Sequence, residues 1–174
     1  MILLFLFIPF QSFLFQLDKN LIKNENSKYD LMFLTPNKTT NINYSSEVCE
    51  RLDGWNFNYF NNNDKENKTK KFPIDAHRIL NYQSCRGLEA WTIVLWNLDT
   101  IIQNIKANYV KYFPESTESE ITEHVNNWLL MIFTRAIDTL VITFKNYESE
   151  EYKMILNLTK SDDFGHMAEI RDYN

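Results

Sequence analysis

The chain has 174 residues, enough for one ordinary domain with a sizeable core, and 44% of them are hydrophobic. Its formal charge of −5, with acidic and basic residues interspersed, describes no basic face for nucleic acid. Three glycines and four prolines are too few for a many-stranded sandwich, which needs a turn signal about every 8–12 residues.

In chain order, residues 1–16 read MILLFLFIPFQSFLFQ, without a charge before Asp18. That apolar run is short of the ~20 residues a spanning helix needs, and it reads as a signal peptide ahead of a single exported domain over 17–174. An uncleaved membrane anchor and a buried N-terminal helix are the competing readings. Removal of the signal leaves a secreted, extracellular product with no membrane insertion. Asn37, Asn43, Asn67 and Asn157 each open an N-x-Ser/Thr glycosylation sequon. Cys49 and Cys85 form an even set that an oxidising compartment would bridge; two free buried thiols are the alternative. A bridge would stabilise the domain by roughly 4 kcal/mol through loop closure.

The first helical candidate runs from Val48 to Trp55. The Asn-rich run from Asn56 to Lys71 reads as a long exposed loop, and Ile74 to Tyr82 as a second short helix. From Leu88 the apolar residues Leu88, Trp91, Leu95, Leu98, Ile102 and Ile105 step by three and four, which predicts one helix ending before Pro114. Thr117 and Glu120 have the spacing of a capping box and start the next helix, whose stripe is Ile121, Val125, Trp128, Ile132, Ala136 and Leu140. A shorter helix carries Tyr152, Ile155, Leu156 and Leu158. Several amphipathic helices in a small domain predict an all-α bundle.

Catalysis finds no support in the motifs. His77, His124 and His166 are far apart, belong to no metal-binding or hydrolase signature, and read for His77 and His124 as solvated helix positions. No glycine-rich phosphate cradle and no paired-carboxylate signature occurs. The expectation is therefore a binding protein that is not an enzyme, with no catalytic residues, no metal and no cofactor.

The order Ser46-Glu47-Val48-Cys49-Glu50-Arg51-Leu52, then a polar loop, then Phe72-Pro73, then Arg78-Ile79-Leu80-Asn81, then two long helical stripes resembles a type I interferon of a lower vertebrate. Tyr152, Ile155 and Leu158, with Met167-Ala168-Glu169-Ile170-Arg171 beyond them, are similar to that family's C-terminal signature. Leu88-Glu89-Ala90 also matches a helix start of the related type III interferons, and both branches stay open. The resemblance implies a helical-cytokine bundle of up-up-down-down topology with a long first connection, its last helix stopping about one turn in. It also implies an antiviral cytokine that draws together the two chains of a heterodimeric class II cytokine receptor and so triggers kinase and transcription-factor signalling. Lys70, Lys71 and Arg171 are the receptor-contact residues it implies. An exported helical binding or decoy module without signalling, secreted or tethered to a membrane, is the competing reading.

Overall fold

The runs Leu31–Leu34, Ile93–Leu95 and Leu140–Ile142 are apolar at every position, and each residue in them is buried. A strand whose two faces are both covered shows this pattern, whereas a half-exposed strand alternates. In the computed structural model, which describes residues 2–6, 30–37, 44–161 and 168–171, these runs form the centre of a parallel sheet. The strands are β1 (Ile2–Leu6), β2 (Leu31–Thr35), β3 (Tyr59–Asn61), β4 (His77–Asn81), β5 (Ala90–Leu95), β6 (Ala136–Ile142) and β7 (Ala168–Arg171). Their spatial order is β3-β4-β2-β5-β6-β1-β7, and every pairing is parallel.

Parallel neighbours require crossovers, and these supply the helices. Helix α1 (Tyr44–Gly54) joins β2 to β3, α2 (Leu98–Tyr112) and α3 (Glu118–Phe133) join β5 to β6, and α4 (Glu150–Thr159) joins β6 to β7. Two apolar layers result. Met32, Leu34, Leu80, Ile93, Leu95, Leu140 and Ile142 face α2, α3 and α4 through Ile101, Ile105, Val125, Leu129, Ile132 and Ile155. On the other side Leu31, Phe33, Ile79, Val94 and Val141 pack against Val48 and Leu52 of α1.

The all-α helical-cytokine bundle is thus corrected to an α/β fold, and with it the up-up-down-down topology and the incomplete last helix. The stripe from Leu88 to Ile105 spans a strand and a helix, broken by Asn97 in the left-handed conformation (φ 57°). Val125 to Leu140 likewise spans the end of α3 and the start of β6. Ile74–Tyr82 holds strand β4, and Arg171 belongs to β7, in register with Leu6 of β1. A spacing of three and four can arise by juxtaposition wherever a doubly buried strand abuts an amphipathic helix, because the strand has no periodicity of its own. The capping box is borne out: Glu120 N–H donates to Thr117 Oγ1 (3.3 Å) and Thr117 N–H to Glu120 Oε2 (2.7 Å). The short helices around Val48 and Tyr152 are also present.

Residues 2–6, read as part of a signal peptide, form a strand paired on one side to β6 and on the other to β7. A product lacking them would leave those two strands with nothing between them. Among the described residues, no helix is long and apolar enough to cross a membrane.

Candidate functional site

The connections that leave β2 and β4 part company at the carboxyl end of the sheet. From β2 the chain passes to α1 on one face, while β4 runs into a 3-10 turn (Tyr82–Cys85) whose Tyr82 and Cys85 are buried in the opposite layer. Neighbouring strands that send their connections to opposite faces open a crevice between them, and open α/β sheets place ligands at such switch points. A cleft of about 630 Å³ lies at this position.

Its walls come from three strand ends and one helix start. Thr35 ends β2 and Pro36 follows it, Asn81 ends β4 and Ser84 lies in the 3-10 turn beyond it, Ser45 lies in the first turn of α1, and Asn62 to Lys65 with Lys68 follow β3. The side chains are held in place by one another. Thr35 Oγ1 donates to Leu80 O (3.2 Å), and Asn81 Oδ1 accepts from both the backbone N–H and the hydroxyl of Ser84 (3.0 Å each). The Asn81 N–H donates to Asn63 Oδ1 (2.9 Å), which ties the end of β4 to the loop beyond β3.

That loop is organised by Asn61, which is 6% exposed. Its Oδ1 accepts from the backbone and side-chain N–H groups of Asn63, its Nδ2 donates to Asp64 Oδ1, and its carbonyl accepts from Asn67 Nδ2 (3.0–3.1 Å). Lys65 and Lys68 are exposed at the cleft, and neither makes an ion pair with a described residue. The N-terminus of α1 adds backbone N–H groups and the positive end of its dipole. One carboxylate, Asp64, faces the same space and is engaged by Asn61. The cleft is therefore rich in donors and positive charge, which suits an anion with several acceptor oxygens. Ser84 lacks the neighbouring base a nucleophile needs, since its hydroxyl donates to an amide.

Further along the carboxyl edge the lining stays polar. Asn37 Nδ2 donates to the Tyr82 hydroxyl (3.3 Å), the Asn37 N–H donates to Asn104 Oδ1 (2.9 Å), and Asn108 Nδ2 also reaches Tyr82 (3.5 Å). Burial raises the Tyr82 phenol above its ordinary value and keeps it a neutral partner in these contacts. Asp99, in the first turn of α2, accepts from the backbone N–H groups of Lys145 (3.1 Å) and Asn146 (2.8 Å) and so pins the segment after β6.

The amino edge carries arginines. Arg86 lies 5.7 Å over the Trp128 ring in the turn before β5, where Gly87 adopts φ 79°, a left-handed conformation that glycine reaches without strain. Arg135, just ahead of β6, donates from Nε to Met131 O (3.0 Å) and from one terminal nitrogen to Thr134 Oγ1 (3.3 Å), which leaves further donors to spare. No described carboxylate forms an ion pair with either guanidinium group.

The residues singled out from the sequence are dispersed by the fold. Lys70 and Lys71 stand in the loop after β3, with Lys70 Nζ donating to Asn67 Oδ1 (3.0 Å), while Arg171 sits at the opposite end of the sheet's strand order. Cys49 and Cys85 are free thiols in layers on opposite faces of the sheet, so the bridge is not made. Burial pushes each thiol up to about 11, and Tyr59, which hydrogen-bonds Cys49, is raised first by burial and then by Asp53. Of the sequon residues, Asn43 lies outside the described residues and Asn157 is exposed on α4, whereas the Asn37 and Asn67 amides are engaged in the contacts above. His77 is fully buried beside Phe57 in β4 and is no solvated helix position, whereas His124 lies half-buried on α3, where it stacks on Tyr109 at 4.2 Å and accepts from Trp128 Nε1 (3.1 Å). His166 lies outside the described residues. Among the described residues no cluster of His, Cys, Asp and Glu could hold a metal.

Asn61, Asn81, Thr35 and Ser84 were not singled out from the sequence. The available signal was the dense run of asparagines with lysines at three-residue spacing, which reads as a solvated loop until its asparagines are seen to bond one another. A scan against protein-family models finds no match to this chain, and a search of curated proteins finds none.

Proposed function

We propose that this chain is a nucleic-acid-binding α/β domain that holds the phosphodiester backbone of a strand in the cleft at the carboxyl ends of β2, β3 and β4. The observation that carries the reading is the coincidence of three anion-binding features at one switch point: the start of α1, the Lys65 and Lys68 ammonium groups, and the side-chain amides of Asn62 and Asn81. A mononucleotide fits less well. The cleft has no glycine-rich loop to wrap a pyrophosphate and no apolar slot for a base, and its polar lining continues along the edge towards Asn37 and Asn104. The overall charge of −5 averages over the chain, whereas the segment from Asp64 to Lys71 holds four lysines against two carboxylates.

Fluorescence anisotropy of a labelled single-stranded oligonucleotide tests this reading. Binding is expected at low salt, weakening steeply as salt rises, and weaker still in the Lys65→Ala/Lys68→Ala variant; absence of binding at low salt refutes it.

A further inference from the structure

Three hydrogen bonds of one kind follow each other through the loop after β3. The backbone N–H of Asp64 donates to Asn61 O (3.4 Å), that of Asn67 to Asp64 O (3.0 Å), and that of Lys70 to Asn67 O (3.0 Å). The loop is thus a staircase of three turns, each three residues on from the last. Equivalent positions on successive steps are Asn62, Lys65 and Lys68, and all three line the cleft. Successive turns of a three-residue step carry these side chains forward at a regular interval, about 6 Å where the turns are wound as tightly as a 3-10 helix. That interval is comparable with the separation of successive phosphates on an extended strand.

The staircase is fixed before any ligand arrives. Asn61 braces its first two steps through Asn63 and Asp64, Asn67 Nδ2 returns to the Asn61 carbonyl, and Asn63 Oδ1 anchors the whole to the end of β4. The other line of the staircase is used internally, since Lys70 Nζ is tied to Asn67 Oδ1. The row Asn61, Asp64, Asn67 and Lys70 is bonded within the loop, and the row Asn62, Lys65 and Lys68 is open to the cleft.

Resting on the cleft reading above, we infer that this staircase is a preformed phosphate ladder. Lys65 and Lys68 meet successive phosphates of an extended strand, Asn62 donates to the next, and the ligand is therefore a polymer of phosphodiesters and not a single phosphate. Asn61 is a positioning residue that touches no ligand. Because the ladder is ordered in advance, binding does not have to order it.

The test is the salt dependence of binding to a labelled single-stranded oligothymidylate, with inorganic phosphate as competitor. Lys65→Ala and Lys68→Ala should each flatten the plot of log affinity against log salt by about 0.7, and the double variant by about 1.4, since each lysine releases counterions from one phosphate. Lys70→Ala should leave the slope unchanged. Asn61→Ala should weaken binding several-fold at an unchanged slope, because it disorders the ladder without removing charge. Asn67→Ala, which cuts an outer brace, should do the same to a smaller degree and stands in if Asn61→Ala does not fold. Binding whose slope falls with Lys65→Ala and Lys68→Ala but whose affinity is indifferent to Asn61→Ala and Asn67→Ala overturns the preformed ladder and leaves the cleft reading standing, whereas a slope indifferent to both lysines overturns the two together. Competition by inorganic phosphate at concentrations equal to those of oligonucleotide phosphate overturns the polymer ligand. No binding by the natural chain overturns the cleft reading and the ladder together.

Discussion

Removing the Asp99 carboxylate is a direct test of how the carboxyl edge is assembled. Asp99 is 2% exposed, and its two oxygens accept from the Lys145 and Asn146 N–H groups at 3.1 and 2.8 Å. The carboxylate also sits in the first turn of α2, where the helix dipole favours a negative charge. A hydrogen bond to a charged group contributes about 1.5–3 kcal/mol, and an orphaned buried donor costs about 1–3 kcal/mol. For Asp99→Ala the two bonds together set an upper value of roughly 6 kcal/mol, and water admitted into the truncated site recovers part of it, so about 3–4 kcal/mol is expected. Asp99→Asn keeps one oxygen for one donor but turns its amide N–H2 towards the other, and should cost about 2 kcal/mol. Urea unfolding followed by far-UV circular dichroism and tryptophan fluorescence measures both, and a chain of this size loses about 2–4 °C in Tm per kcal/mol. If both variants unfold within about 0.5 kcal/mol of the natural chain, an ordinary surface substitution would explain them as well, and the pinning of the segment after β6 by α2 is wrong.

Thiol chemistry checks the layer assignment of the cysteines. Both raised thiols should react slowly with a disulfide reagent at neutral pH, Cys85 more slowly than Cys49, and no linked peptide should appear on non-reducing mapping; a Cys49–Cys85 linked peptide would refute the sheet as described. The Cys85 thiol is raised from 9.0 to about 11 in the folded chain, so its contribution to stability is complete below about pH 9 and is lost as pH rises towards 11, by about 2–3 kcal/mol. A flat stability profile from pH 8.5 to 11, relative to Cys85→Ala, would contradict that burial. At the start of α3, Thr117→Ala removes the side-chain half of the capping box and should cost about 1 kcal/mol in denaturant unfolding, whereas Thr117→Ser should cost little.

Much of the local structure was legible in the sequence. Thr117 and Glu120 marked a helix start because capping is an interaction between residues three apart, and α1 and α4 were visible because an amphipathic helix is a local pattern. The Asn-rich run from Asn56 to Lys71 was read as loop throughout, which holds beyond Asn61 but not for Tyr59–Asn61, the edge strand β3. The pairing of strands was not legible. Ile93-Val94-Leu95 and Leu140-Val141-Ile142 are neighbours in register, yet about forty-five residues separate them in the chain, and each run is apolar on both faces, so its own pattern does not separate a buried strand from a buried helix. The bundle expectation followed from joining those runs to the helices beside them.

The candidate site divides along the same line. Composition announced polar and basic residues after Asn56, but net charge sums over a chain and contains no geometry. Only the tertiary structure brings the ends of β2, β3 and β4 together with the start of α1, and only the Asn61 hydrogen bonds turn a run of asparagines into a staircase with Lys65 and Lys68 on one side. The sequence by itself determined where helices can start and which residues must be buried, because those depend on a few neighbours in the chain. The order of strands, the crevice at their switch point and the alignment of its donors depend on contacts between distant segments, and these exist only once the sheet has closed its two apolar layers.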